Sequence, residues 1–308
     1  VATFTPLHKV DIENFLALFN VGQLTDFRQI PTGIENTNYF VTTTKYNQEQ
    51  HFVLTLVEVA SFTEVPFFIS LTRHLANYGL PVPAAELTLD GMSLTVLKNK
   101  PAMLLPRLPG AHLQQPSSEH CLEVGQLLGL MHSTLLGSSY HRENPYSSDW
   151  MYTTIQQPQA HFEPAIKNLL TRCAELYDLL ESTSLPRGII HGDLFKDNIL
   201  FTDAKITGVL DFFHASTDFL MMDIAITIND WCRNQNQSID PERAAGLLRG
   251  YEMTRPIEPE ERDHMTTFQQ IAAARFALTR SLTGLPGNYL KDPEACLLLL
   301  ESLVYPQT

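Results

Sequence analysis

Between Ile189 and Phe213 the chain reads IIHGDLFKDNILFTDAKITGVLDFF, and its polar residues are of types that move protons and hold hard cations. The apolar pairs Ile189/Ile190, Ile199/Leu200 and Val209/Leu210 anchor both ends of a polar loop carrying His191, Asp193, Lys196, Asp197 and Asn198. That spacing holds the loop against a core. After a tight turn at Thr202 to Lys205, a second strand is expected to deliver Asp211 to the same end of the hairpin. A loop carboxylate, an amide oxygen five residues later and a second carboxylate at a strand end can serve as a base and as metal ligands. Hard oxygen donors of this kind suit Mg²⁺ bridging nucleotide phosphates.

The elements that must position these residues fall into two groups. Leu24 to Ile30, Asn38 to Thr44 and His51 to Glu58 alternate or run apolar and predict strands. The turn-rich PTGIENTN separates the first two, and KYNQEQ separates the second and third. Glu64 to Tyr78 predicts a helix with Phe67, Phe68, Leu71 and Leu75 on one stripe, ended by Gly79. Glu86 to Leu89 and Ser93 to Leu97 predict a hairpin about Asp90-Gly91, followed by a strand over Ala102 to Leu105 and the hinge-like PRLPG. Helices follow: one capped by Ser117/Ser118, one over Pro164 to Leu180, and several from about Phe219 to Leu303. The expectation is an α+β, bilobal chain: a small antiparallel β-rich lobe over residues 1–106 and a larger, mainly helical lobe over 107–308.

The 308 residues carry 21 Lys+Arg against 34 Asp+Glu, a formal charge of −13. This argues against a nucleic-acid partner, because phosphate backbones need a basic surface. It also argues against an anionic membrane surface, and any nucleotide must be held by local cations and backbone. Cys121, Cys173, Cys232 and Cys296 are scattered, which predicts reduced, buried thiols and no zinc site. The N-terminal stretch, in which Asp11 opens a short amphipathic helix, lacks signal-peptide character, and no apolar run is long enough to span a bilayer. A cytoplasmic location is expected.

H-G-D-x-x-x-x-N followed by apolar residues and then D-F resembles the catalytic and metal-binding pair of the aminoglycoside phosphotransferase and choline kinase superfamily. Its members are small-molecule kinases with the protein-kinase-like fold. GIENTNYFV, FVLTLVE, GLPVPA, KPAMLLPRLPG, HGDLFKDNILF, GVLDFFHAS and DIAITINDWC resemble, across almost the whole chain, the bacterial homoserine kinases of that superfamily. The resemblance implies ATP and Mg²⁺ as cofactors and transfer of a phosphoryl group to the side-chain hydroxyl of L-homoserine, a step of threonine biosynthesis. A kinase for another hydroxyl acceptor, choline or an aminoglycoside, is the alternative, and such cationic acceptors suit the acidic balance.

The resemblance assigns Asp193 as the catalytic base and Asn198 and Asp211 as metal ligands. His191 is expected to brace the loop, and Lys196 to reach the transferred phosphate or remain a solvated lysine. Gly33, Glu35, Asn36 and Asn38 fit a nucleotide-covering turn, although a plain hairpin turn looks similar. Met103 to Leu105 fits the strand that faces adenine, and Arg107 fits either the ribose or a surface acid. Thr55 stands where kinases of this fold carry a lysine, so no lysine pair with Glu64 is available. For the acceptor, Asp230 is expected to receive an ammonium, Trp231 to wall the pocket and Arg275 or Arg280 to take a carboxylate. The competing reading for each is a structural ion pair or a core aromatic. Asp223, one helical face with Thr227 and Asp230, is expected to stabilise the loop.

Overall fold

The computed structural model describes residues 5–31, 36–158, 162–234, 236–282 and 292–305. The chain divides into two compact units, one of Val1–Gly110 with Thr207–Phe213, the other of Ala111–Ile206 with His214–Thr308.

The first unit opens with α1 (Lys9–Leu16) and continues through β1 (Gln23–Gln29), β2 (Asn36–Lys45), β3 (Gln48–Val57), α2 (Val65–Asn77), β4 (Thr95–Leu97) and β5 (Lys100–Pro106). The strands form one antiparallel sheet in the order β1-β2-β3-β5-β4. Period-two side-chain alternation sends Tyr39, Val41, Leu54, Leu56 and Leu104 to the face covered by Ile12, Phe15 and Leu16 of α1. Val57 and Met103 pack on the opposite face with Val65 and Ile69 of α2. Phe213 joins this second cluster, its ring 5.0 Å from that of Phe68.

The hairpin expected over Glu86 to Leu97 is corrected by the structure. Its true arms are β4 and β5, turning at Lys98 and Asn99, which both hold left-handed φ values of 53° and 61°. Two such residues in succession make the turn that matches strand twist, and Tyr46-Asn47 repeats it between β2 and β3. The Asp90-Gly91 turn exists, but Glu86 to Leu89 adds only an isolated bridge from Thr88 to Phe19.

The second unit contains α3 (Ser118–Leu135), α4 (Ser148–Ile155), α5 (Pro164–Glu181), β6 (Arg187–Ile190), β7 (Ile199–Thr202), the start of β8 (Lys205–Val209), β9 (Ser216–Phe219), α6 (Leu220–Trp231), α7 (Pro241–Glu252), α8 (Pro259–Asp263), α9 (Met265–Leu282) and α10 (Glu294–Val304). Ser117 caps α3, its hydroxyl accepting the N–H of His120. α6 is buried on all sides, from Leu220 to Asn229 without a break. A helix buried on every side belongs in a core, and α6 forms that core beneath the β6–β9 pair. α3 and α7 touch backbone to backbone through Gly125, Gly129, Gly246 and Gly250; a Cβ on Gly250 would sit 2.0 Å from the carbonyl oxygen of Leu122. All four cysteines are buried and free. Among the described residues no helix is long and apolar enough to cross a membrane.

Candidate active site

The loop from His191 to Asn198 leaves β6, whose Ile189 and Ile190 are buried, and re-enters the core at Ile199. It turns at Gly192, where φ is 77° and an added Cβ would lie 2.8 Å from the carbonyl oxygen of His214, so glycine is required twice over. Its main-chain polar groups are claimed one after another by buried side chains. Asp223 of α6 accepts the N–H of His191 at 2.7 Å and of Gly192 at 2.9 Å. Arg275 of α9 donates to the Gly192 carbonyl at 2.8 Å, and the Trp231 indole N–H to the Leu194 carbonyl at 3.0 Å. Asp230 accepts the N–H of Lys196 at 2.8 Å.

Asp223 is itself the end of a buried chain. Arg255 gives both oxygens of Glu261 a guanidinium N–H at 3.0 Å and the Tyr251 hydroxyl another at 3.2 Å. Tyr251 meets Nδ1 of His132 at 2.8 Å, and Nε2 of His132 meets Asp223 at 3.1 Å. Donation in one direction satisfies every link: guanidinium to phenol oxygen, phenol O–H to Nδ1, Nε2–H to carboxylate. Burial opposes the charge on Asp223, but its donors outweigh that cost and hold the carboxyl below its usual range.

Within this frame Asp193 is half-buried and Asn198 buried. The Asn198 amide N–H₂ donates to the Asp193 carbonyl at 2.7 Å and to Oδ2 of the same residue at 3.0 Å. The carboxylate is thereby fixed in orientation. His191 is fully buried and its Nδ1 accepts the Asp193 N–H at 3.3 Å, an arrangement that braces the loop. Such a carboxylate, held at the lip of a rigid loop, can take a proton from a hydroxyl.

The acceptor candidates separate. Trp231 has no exposed surface and its N–H is donated to the Leu194 carbonyl, which favours the core-aromatic reading over the pocket wall. Arg275 is buried, lies 4.1 Å over the Tyr146 ring and holds Gly192. Asp230 has Lys196 Nζ 4.0 Å away as well as the Lys196 N–H. Asp230 and Arg280 line one small cavity together.

In the first unit, Asn38, Thr55 and Met103 stand side by side across β2, β3 and β5, with Phe40, Val53 and Leu105 in the next row of the same face. Asn36 opens β2, its side-chain oxygen accepting the Glu58 N–H at 3.3 Å. Gly33 and Glu35 lie outside the described residues. Thr55 donates its hydroxyl to Asn38 Oδ1 at 2.7 Å, and Glu64 receives the N–H and hydroxyl of Ser61. Arg107 stacks 4.3 Å over Phe40. Asp211 is exposed, with φ of 60° and its Oδ1 accepting the Phe213 N–H at 3.4 Å. Aspartate is among the residues that adopt this left-handed conformation most readily.

His132, Tyr251, Arg255 and Glu261 escaped the sequence reading. The available signal was a histidine on the apolar face of α3, among Leu128, Met131 and Leu135.

Residues 26–257 match the phosphotransferase enzyme family. The chain belongs to that family. This phosphotransferase is 40% identical over 288 residues to a homoserine kinase of Pseudomonas aeruginosa, covering 91% of this chain and 88% of the relative. It is 36% identical over 292 residues to a homoserine kinase of Cupriavidus taiwanensis, covering 91% and 87%. Among solved structures, an amicoumacin kinase in complex with AMP-PNP and Ca²⁺ superposes with a TM-score of 0.74 at 15% identity, covering 96% of this chain and 93% of the other. A choline kinase from Cryptosporidium parvum does so with a TM-score of 0.69 at 12% identity, covering 96% and 94%. At those identities the structures establish the fold alone, which is protein-kinase-like, as the motif resemblance implied.

Proposed function

We propose that this chain is an ATP-dependent kinase that phosphorylates the side-chain hydroxyl of L-homoserine, giving O-phospho-L-homoserine for threonine biosynthesis. The acceptor is carried by the homoserine kinase relatives, 40% identical over 91% of the chain. The chemistry is supported by the locked Asp193–Asn198 pair. Asp193 takes the hydroxyl proton as the oxygen attacks the γ-phosphorus; the bond from that phosphorus to the bridging oxygen breaks, and ADP leaves with the electron pair. Lys196, 27% exposed at its side chain, supplies a cation near the transferred group in a protein of net charge −13.

Oδ1 of Asn198 and the carboxylate of Asp211 are each hard-oxygen donors of the kind Mg²⁺ would require. Mg²⁺ takes few protein ligands and completes its shell with phosphate oxygens and water, and when bound it neutralises developing phosphate charge. The row Asn38, Thr55, Met103 and its neighbour Leu105 form the sheet face assigned to the nucleotide, with Asn36 at the start of β2. Buried, reduced thiols fit a cytoplasmic enzyme.

The test is ADP release from ATP with L-homoserine, choline or an aminoglycoside as acceptor. Stimulation by L-homoserine alone is expected; stimulation only by one of the others replaces the acceptor, and none at all removes the proposal.

A further inference from the structure

α3 and α7 come so close at Gly129 that an added Cβ would lie 2.6 Å from the carbonyl oxygen of Tyr251. That approach brings the Tyr251 phenol against the His132 imidazole, edge to face, with ring centroids 5.6 Å apart. Both side chains are buried, so a hydrogen left without an acceptor there is costly.

An imidazole carries hydrogen on Nε2, on Nδ1 or on both, and the three forms act differently on Asp223. With hydrogen on Nδ1 alone, the Nε2 lone pair faces Asp223 Oδ2 at 3.1 Å, acceptor against acceptor. With hydrogen on both, Nδ1 needs an acceptor of its own. The Tyr251 oxygen, 2.8 Å away, already accepts from Arg255 at 3.2 Å; accepting again would strand the phenol hydrogen. Burial, the largest influence, pushes the Tyr251 phenol up against the opposing pull of Arg255, so that hydrogen stays on the oxygen. Arg255 is itself fixed, its other nitrogen donating to both oxygens of Glu261 at 3.0 Å. Only hydrogen on Nε2 alone leaves each of these groups partnered.

The choice reaches the loop because Oδ2 of Asp223 serves two donors, the His191 N–H at 2.7 Å and His132 Nε2 at 3.1 Å. A neutral imidazole leaves the shorter bond with the loop. An ionised donor makes a shorter bond, about twice as strong, and would draw Oδ2 toward α3 and away from the main chain before Asp193.

We infer that Tyr251 is a positioning residue: its hydroxyl donates to Nδ1 of His132, keeps that ring neutral and so leaves the Asp223 carboxylate to the loop that carries Asp193. Its kinetic consequence rests on the phosphotransfer reading above; the state of the ring does not. The charged and titratable groups acting on the pair are Asp223 of α6, Arg255, Glu261 of α8 and His191 of the loop. Asp223 favours an imidazolium, while Arg255 and the phenol O–H oppose it.

The experiment joins ¹⁵N NMR of the histidine rings to steady-state kinetics with ATP and L-homoserine, both on the full chain. The His132 signal is assigned by its loss in His132→Gln. In the wild type, Nε2 of His132 is expected to carry hydrogen and Nδ1 none. Tyr251→Phe keeps the aromatic ring; it is expected to put hydrogen on both nitrogens and to lower kcat about 10-fold, the worth of one hydrogen bond, with KM for ATP unchanged. Raising the pH should remove the added hydrogen and return most of the lost kcat, which a merely structural defect would not allow. In His132→Gln, whose amide takes up no proton, Tyr251→Phe should add no pH-dependent loss. Hydrogen on Nδ1 in the wild type overturns the inference, and that measurement needs no variant other than the assignment control. An unchanged kcat in Tyr251→Phe, or a loss equal at every pH, overturns it as well. A wild-type chain inert toward L-homoserine removes the phosphotransfer reading instead, and the NMR comparison then decides the state of the ring by itself.

Discussion

The carboxylate of Asp223 and the imidazole of His132 meet at 3.1 Å, with neither side chain exposed to solvent. The same carboxylate carries the main chain at His191 and Gly192, immediately before Asp193. Asp223→Ala leaves three buried donors unmet, each costing about 1–3 kcal/mol. A loss of at least about 3 kcal/mol in urea unfolding is expected, with turnover falling even at temperatures where the variant stays folded. Unaltered turnover in a folded variant would show that the loop keeps its shape without this anchor.

Asp193→Asn keeps the shape of the side chain and removes its basicity. Turnover should drop by about 10²- to 10⁴-fold, the usual worth of a positioned general base. The melting temperature and KM for ATP should hardly move. Asn198→Ala frees the carboxylate that the amide now orients, so kcat should fall there too, accompanied by a rise in the Mg²⁺ concentration needed for half-maximal activity.

Buried carboxylates in the second unit answer pH in opposite senses. Burial pushes the Asp218 carboxyl up to about 6, against the opposing Tyr177 hydroxyl, Phe219 N–H and nearby Arg187 and Arg275. Its unfolded value is about 3.9, so the folded state binds this proton more tightly. Its contribution is fully present below about pH 4 and is lost as pH rises through about 6, a span on the order of 3 kcal/mol. Asp223, whose carboxyl is held below the usual range, contributes above about pH 4 and loses that contribution as pH falls through its lowered value. Urea midpoints from pH 4 to 7 should slope less in Asp218→Asn than in wild type; equal slopes would contradict the raised value.

Gly250→Ala places a methyl 2.0 Å from a main-chain oxygen of the neighbouring helix, where no rotamer change relieves it. α3 and α7 must separate, at a cost of about 3 kcal/mol or more. His132 and Tyr251 bridge the same two helices, so the variant should also lose activity. Thermal melts and kcat on one preparation check both effects.

The loop motif, the order of strands and helices and the helix cap at Ser117 were legible in the sequence, because each is written in residues a few positions apart. Backbone preference and side-chain period act over that range. The β4–β5 turn was legible in principle, yet Asp90-Gly91 offered a stronger dipeptide signal than Lys98-Asn99 and drew the hairpin to the wrong place.

The contacts of Asp230, Trp231 and Arg275 are set only by tertiary structure. Trp231 reads equally well as pocket wall or core aromatic until Leu194, 37 residues away, is found at its N–H. The partners of His132 are 91 and 119 residues distant, and Arg233 and Arg280 line one cavity together with residues of α6, α9 and α10. Sequence spacing fixed which groups could do the chemistry. Packing, which pairs buried donors with acceptors wherever the chain brings them, decided which of those groups are held in place and which hold them.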